Sequence, residues 1–231
     1  MTLIYRLHHH PIDPPSRRVR LSLAEKGIPH DTILEKPWDP RAEYRALSPA
    51  GDVPTLVIED DTGAAAPIII SDATAICEYL EETFPTPNLL GTDPVFRAEV
   101  RRLVNWFETK MYNETTALIL GEKAYKRLSG TGVPDSFILR AGNHNIHGHL
   151  DYISWLSERR SWLAGDELTL ADLAAAAQIS CIDYLGDIPW DRHPNAKEWY
   201  ARIKSRPSFR PLLGDHLPGL MPPRHYADLD F

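Results

Sequence analysis

The chain has 231 residues, 43% of them hydrophobic, and a formal net charge of −7. That length supports one or two domains with real cores, and the acidic balance argues against a nucleic-acid or anionic-membrane partner. No apolar run approaches the roughly 20 residues a membrane-spanning helix needs, and Met1 to Leu7 is too short and polar for a secretory signal, so a soluble cytoplasmic protein without membrane insertion is expected.

Thr2 to Leu7 alternates weakly and suits a first strand. After His8-His9-His10, the run Pro11-Ile12-Asp13-Pro14-Pro15-Ser16 opens a helix to Lys26, with Asp13 as its N-cap and proline tolerated in the first turn. Ile28 to Leu34 reads as a second strand. Pro37, Pro40 and Pro49 keep 36–51 irregular, with one helical turn near Glu43 to Leu47. Strands at 55–59 and 67–70 flank a turn at Asp60-Asp61-Thr62-Gly63, and a helix covers 72–83. Phe84 to Pro94, with three prolines and a glycine, reads as a linker.

The stretch Val53-Pro54-Thr55-Leu56 joins a proline to the start of a short strand. Proline lacks the N–H of a sheet ladder and is tolerated at a strand's first residue, where an X–Pro bond can also be cis. Ile70-Ser71-Asp72-Ala73-Thr74-Ala75-Ile76 ends a strand and opens a helix whose N–H groups suit an anion, with Asp72 beside them. Together the two stretches predict a pocket for a small acidic peptide.

Beyond the linker the pattern is helical throughout. Val100, Leu103, Val104, Phe107 and Met111 form one face at helical spacing, and Leu139, Ile146, Leu150, Ile153 and Leu156 another. Thr169-Leu170-Ala171-Asp172 has the form of a capping box before an Ala-rich helix, Leu173 to Ile182, that is apolar nearly all round and therefore central. A last amphipathic helix covers Asn195 to Ser205. Residues 214–231 carry three prolines and no periodicity. Cys77 and Cys181, far apart in apolar helical patterns, read as buried free thiols.

Val53-Pro54, Asp72-Ala73-Thr74-Ala75-Ile76 and Leu163-Ala164-Gly165-Asp166 through Asp172 stand in the order in which the glutathione S-transferase superfamily places such motifs, and nearly the whole chain resembles that superfamily. The resemblance implies an α+β two-domain fold: a thioredoxin-like β-α-β-α-β-β-α domain over 1–84, a linker over 85–92, an all-helical bundle over 93–213 and an extended tail over 214–231. It also implies a two-fold homodimer. The glutathione-like pocket would comprise Asp13, Ser16, Val53, Pro54, Asp72 and Ala73.

Two departures fall where the family's chemistry lies. Members place a Tyr, Ser or Cys after the first strand to contact the glutathione sulfur, and here that position is Asp13. An ionised carboxylate neither attacks as a thiol does nor donates to a thiolate, and its charge opposes the thiolate form. Pro14 and Pro15 remove two N–H groups from the helix start that would hold the anion. Ala73 replaces the serine that holds the γ-glutamyl carboxylate. Ser16 is the one hydroxyl left near the helix start, so a glutathione-dependent transferase or isomerase using Ser16 is the alternative reading.

Within the superfamily, Asp13-Pro14-Pro15-Ser16, Lys36-Pro37-Trp38-Asp39 and the terminal His225-Tyr226-Ala227-Asp228-Leu229-Asp230-Phe231 resemble the FtsZ-localised division proteins of alphaproteobacteria. That resemblance implies a non-catalytic protein without a cofactor, placed at the division site, that binds FtsZ filaments, shapes them and promotes constriction. Its partner-binding residues would be Trp38, Tyr226, Asp228, Leu229, Asp230 and Phe231. For Trp38, packing against the helix from Ser16 competes with that role. The remaining charged clusters read more plainly. Arg17, Arg18 and Arg20 form a solvated face or pair with Asp13, and His144, His147 and His149 a solvated helix face. His8, His9 and His10 alternate across a strand, so they do not converge on one metal ion.

Overall fold

The computed structural model describes residues 2–229. Two compact units make up the chain, Met1–Pro87 and Asn88–Phe231. In the first, β1 (Leu3–His9) pairs in parallel with β2 (Asp31–Leu34) and antiparallel with β3 (Thr55–Asp60). β3 pairs antiparallel with β4 (Ile68–Ser71), so the sheet runs β2-β1-β3-β4. The outer strands are largely exposed, whereas β3 is buried almost end to end.

Helices α1 (Pro14–Glu25) and α3 (Ala73–Thr83) pack together. Val19, Leu23, Ile76 and Leu80 lose all exposure there, and each such side chain is worth roughly 1.5–3 kcal/mol of burial. Between β2 and β3 lies the short α2 (Ala42–Leu47). The second strand begins later than its apolar pattern suggests. Pro29 has no N–H for a ladder, and the His30 ring bonds the Ile28 carbonyl instead, so pairing with β1 starts at Asp31.

In the second unit a continuous helical run over 94–129, here α4, starts at Pro94 with Asp93 accepting from the N–H groups of Val95 and Phe96. Its winding widens into π turns at Trp106–Thr116 and Gly121–Tyr125, and it stops at Gly130 in the left-handed conformation. α5 (Ser136–Ser157) and α7 (Pro194–Lys204) flank α6 (Leu170–Tyr184) in sequence, and every residue of α6 is buried. That all-round burial is what its Ala-rich, non-amphipathic sequence requires.

The capping box is formed. Asp172 accepts from Thr169 N–H at 3.0 Å, while Thr169 Oγ1 accepts from Ala171 N–H. Asp172 also ties down Leu163 N–H at 2.9 Å and Trp199 Nε1 at 3.0 Å. Burial pushes its carboxyl above the usual range, and these donors oppose that shift. Cys77 and Cys181 are both buried and carry no disulfide.

One reading of the α5 histidines is corrected. His144 is exposed, but His149 is 2% exposed and sits against Glu114 at 3.1 Å, and His147 Nδ1 lies 2.8 Å from His193 Nε2. The 3.6-residue period turns His149 inward beside Ile146 and Leu150, the buried row of the same helix. No helix among the described residues is long and apolar enough to cross a membrane.

Candidate functional site

The pocket residues of the first unit are positioned by two helix starts and one loop. At the first start, Asp13 caps α1 with its Oδ2 accepting from Ser16 N–H at 2.8 Å. Pro14 and Pro15 occupy the first two helical positions and offer no N–H. Arg17 N–H is bonded to the Asp13 carbonyl. The whole first turn, 14–17, therefore has every backbone donor either missing or used, and a thiolate placed there would meet none. Ser16 is fully buried, and its Oγ accepts from His10 N–H at 3.3 Å. The alternative catalytic hydroxyl is turned into the fold and holds the end of β1.

At the second start, the Val53–Pro54 bond is cis, and the Pro54 carbonyl accepts from Asp72 N–H at 3.3 Å. Asp72 has φ +80°, the only described residue other than glycine at positive φ. A side chain held there costs of order 1–3 kcal/mol and marks a position the surroundings dictate. Its Oδ1 accepts from Thr74 N–H at 2.7 Å and Ala75 N–H at 3.1 Å. The N–H groups expected to receive an anion are thus occupied by Asp72 itself. Ala73 is buried and adds no hydroxyl.

The arginines of α1 overturn the expectation of a solvated face: Arg17 and Arg18 are 0% and 1% exposed and Arg20 is 8% exposed. Arg17 Nε donates to the Pro11 carbonyl at 2.6 Å, and Arg18 Nη2 to Thr74 Oγ1 at 3.1 Å. Proximity in sequence placed them on one turn, but the helix is buried on nearly every side, which α1's own pattern does not reveal.

Trp38 is half-buried, its ring edge-on to His10 with centroids 5.0 Å apart. It belongs to a loop whose ends share one carboxylate. Glu35, 1% exposed, receives His8 Nδ1 at 2.8 Å and Arg41 through Nε at 3.1 Å and Nη2 at 2.5 Å. Burial raises the Glu35 carboxyl, but the hydrogen bonds of Arg41 and His8 outweigh it and hold the group below its usual range. His8 in turn stacks on Tyr44 at 5.3 Å, and the Tyr44 hydroxyl reaches the Asp52 carbonyl at 2.5 Å, one residue before Val53. None of Glu35, His8, Arg41 and Tyr44 was singled out from the sequence as a site residue. The available signal was an acid and a base bracketing a proline-bearing loop.

The tail residues belong to the second unit and are anchored within it. Tyr226 is fully buried, donates its hydroxyl to the Leu212 carbonyl at 3.1 Å and meets Tyr184 edge-on at 5.2 Å. Its ring fastens the tail to its own domain. Lys204 Nζ donates to the His225 carbonyl at 2.9 Å, and His225 Nε2 lies 3.0 Å from Asp183 Oδ1. Burial lowers the Lys204 ammonium to about 8, against the pull of Asp183 and Asp228. Asp228 and Leu229 are exposed. Asp230 and Phe231 lie outside the described residues. Among the described residues no group of three ligating side chains suits a metal ion.

Residues 14–83 match the sequence profile described as "Glutathione S-transferase, N-terminal domain", and residues 148–207 that of "Glutathione S-transferase, C-terminal domain". The chain is 47% identical to "FtsZ-localized protein A" of Caulobacter vibrioides, over 100% of both chains. The crystal structure of a glutathione S-transferase from Rhodospirillum rubrum superposes with a TM-score of 0.93 at 52% identity, covering 99% of this chain and 100% of that one. That of FzlA from C. crescentus does so with a TM-score of 0.95 at 47% identity and the same coverage. With both domain profiles matched and a relative this similar over its full length, the chain belongs to the glutathione S-transferase superfamily and, within it, to the family of FtsZ-localized protein A.

Proposed function

We propose that this chain is a non-catalytic glutathione-transferase-like protein of bacterial cell division that binds FtsZ filaments at the division site, organises them and promotes constriction. The observation that carries this reading is the full-length 47% identity to a protein whose name places it with FtsZ. The first turn of α1 supports the non-catalytic half, since Asp13, Pro14, Pro15 and the inward-turned Ser16 leave nothing to activate a thiol. A homodimer, common among glutathione transferases, would carry two copies of each binding residue. The contacts assigned to the partner are Trp38, Asp228 and Leu229, together with Asp230 and Phe231.

The test is co-sedimentation with FtsZ polymerised in GTP, run beside calorimetric titration with glutathione. Wild type should pellet with filaments. Trp38→Ala, and separately deletion of residues 228–231, should reduce pelleting at least tenfold. That deletion spares Tyr226, so the tail keeps its anchor. Unchanged pelleting of both variants would remove these residues from the interface. The second reading, a glutathione-dependent enzyme using Ser16, is favoured by the 52% identical R. rubrum protein described as a transferase. It requires glutathione binding near millimolar or tighter, and no heat at several millimolar would end it.

A further inference from the structure

We infer that Glu35 and Arg41 are positioning residues that hold the Trp38 loop in the shape its partner reads. This rests on the reading of Trp38 as a partner contact.

The loop leaves β2 at Glu35, whose N–H is still bonded to the His9 carbonyl at 2.9 Å, and enters α2 after Arg41. Both ends come back to one carboxylate: Glu35 supplies it and Arg41 grips it through two nitrogens. Such a two-point guanidinium contact fixes direction as well as distance. Between these ends Asp39 N–H bonds the Lys36 carbonyl at 2.9 Å, and Pro37 and Pro40 restrict the backbone on either side of Trp38 and Asp39.

The carboxylate is itself anchored from below. His8 donates to it from β1, and the His8 ring lies nearly parallel to Tyr44 of α2 at 20°. Strand, loop and helix are therefore joined through a group that is 1% exposed, where a charge is tolerated only when fully hydrogen-bonded. Arg41 is the accessible half of the device, with its side chain 53% exposed. A surface arginine closing a loop around a half-buried tryptophan is arranged to pre-order a contact, because a side chain already held in its bound shape loses less freedom on binding.

The experiment compares wild type, Arg41→Gln, Arg41→Lys, Glu35→Gln and Trp38→Ala in three measurements: FtsZ co-sedimentation, hydrogen exchange over 36–41, and urea stability. Arg41→Gln should exchange faster over 36–41 and bind about tenfold more weakly, the effect of roughly 1.4 kcal/mol, while its urea midpoint stays close to wild type. Arg41→Lys, which restores charge without the fork, should fall between the two. Glu35→Gln should copy the exchange change, and it guards against an effect special to position 41. If Trp38→Ala loses binding while Arg41→Gln and Glu35→Gln bind and exchange like wild type, the clamp is overturned and the reading of Trp38 stands. If Trp38→Ala binds normally, that reading falls and the clamp's purpose falls with it. A loss of binding that only tracks a lowered urea midpoint would mean general destabilisation and would also overturn the proposal.

Discussion

His9 ends β1 with its imidazole 6% exposed, on the strand face opposite His8, and its Nδ1 has no hydrogen-bond partner among the described residues. Burial, with the positive charges of Arg20, His10, His30 and Arg17 added to it, lowers its pKa to about 3. A histidine in an unfolded chain titrates near 6.5. Between those values the unfolded state binds a proton that the folded state refuses, so stability falls as the pH is lowered through that window and is retained above it. The slope is about 1.4 kcal/mol per pH unit, or about 2 kcal/mol lost by pH 5. Urea unfolding at pH 7 and pH 5 should show that loss in wild type, and His9→Leu should remove most of it. An unchanged pH slope in the variant would mean that the acid sensitivity lies elsewhere, with His149 next in line, since burial lowers its pKa too.

At the level of elements, Tyr226 is the fully buried aromatic among the tail's anchors. Tyr226 fills a fully buried site against Tyr184 and donates to the Leu212 carbonyl, and Lys204 fastens the neighbouring carbonyl. Tyr226→Ala should cost about 3–5 kcal/mol through the cavity and the lost hydrogen bond. It should also speed tryptic cleavage after the exposed Arg224, whereas Met221→Ala, at a side chain 82% exposed, should change neither. Equal cleavage rates for the two variants would show that Tyr226 is not what restrains the tail. The docking of the tail could not be read from sequence, because its partners come from α6, α7 and the one-turn helix at Arg210–Leu213, and a proline-broken segment carries no periodicity of its own. The helices it docks on were legible because each repeats its buried face every 3.6 residues, and α6 because Thr169 and Asp172 announce its start. The same contrast divides the pocket. The N-cap Asp13 acts within three residues and was visible, whereas Glu35 meets His8 across 27 positions and was not.

For the whole molecule, the proposed role depends on copy number more than on the strength of one site. In the proposed role each copy would contact its partner through one tryptophan loop and a short acidic-apolar tail, a modest surface. Two linked copies on a repeating filament convert the second contact into an intramolecular one, and avidity can then exceed single-site affinity by about 10²–10⁴ without any new contact. This makes mixed dimers informative. Wild type refolded or co-expressed with an excess of Trp38→Ala lacking residues 228–231 should form dimers with one working half. Such dimers should still bind filaments weakly, but they should not bridge two filaments. Low-speed pelleting and light scattering, which report bundles, should fall with roughly the square of the wild-type fraction, while single-filament binding at high protein concentration should fall linearly. Bundling that declines only in proportion to the wild-type fraction would mean that each copy acts alone, and the dimer would then have to be given a role other than bridging.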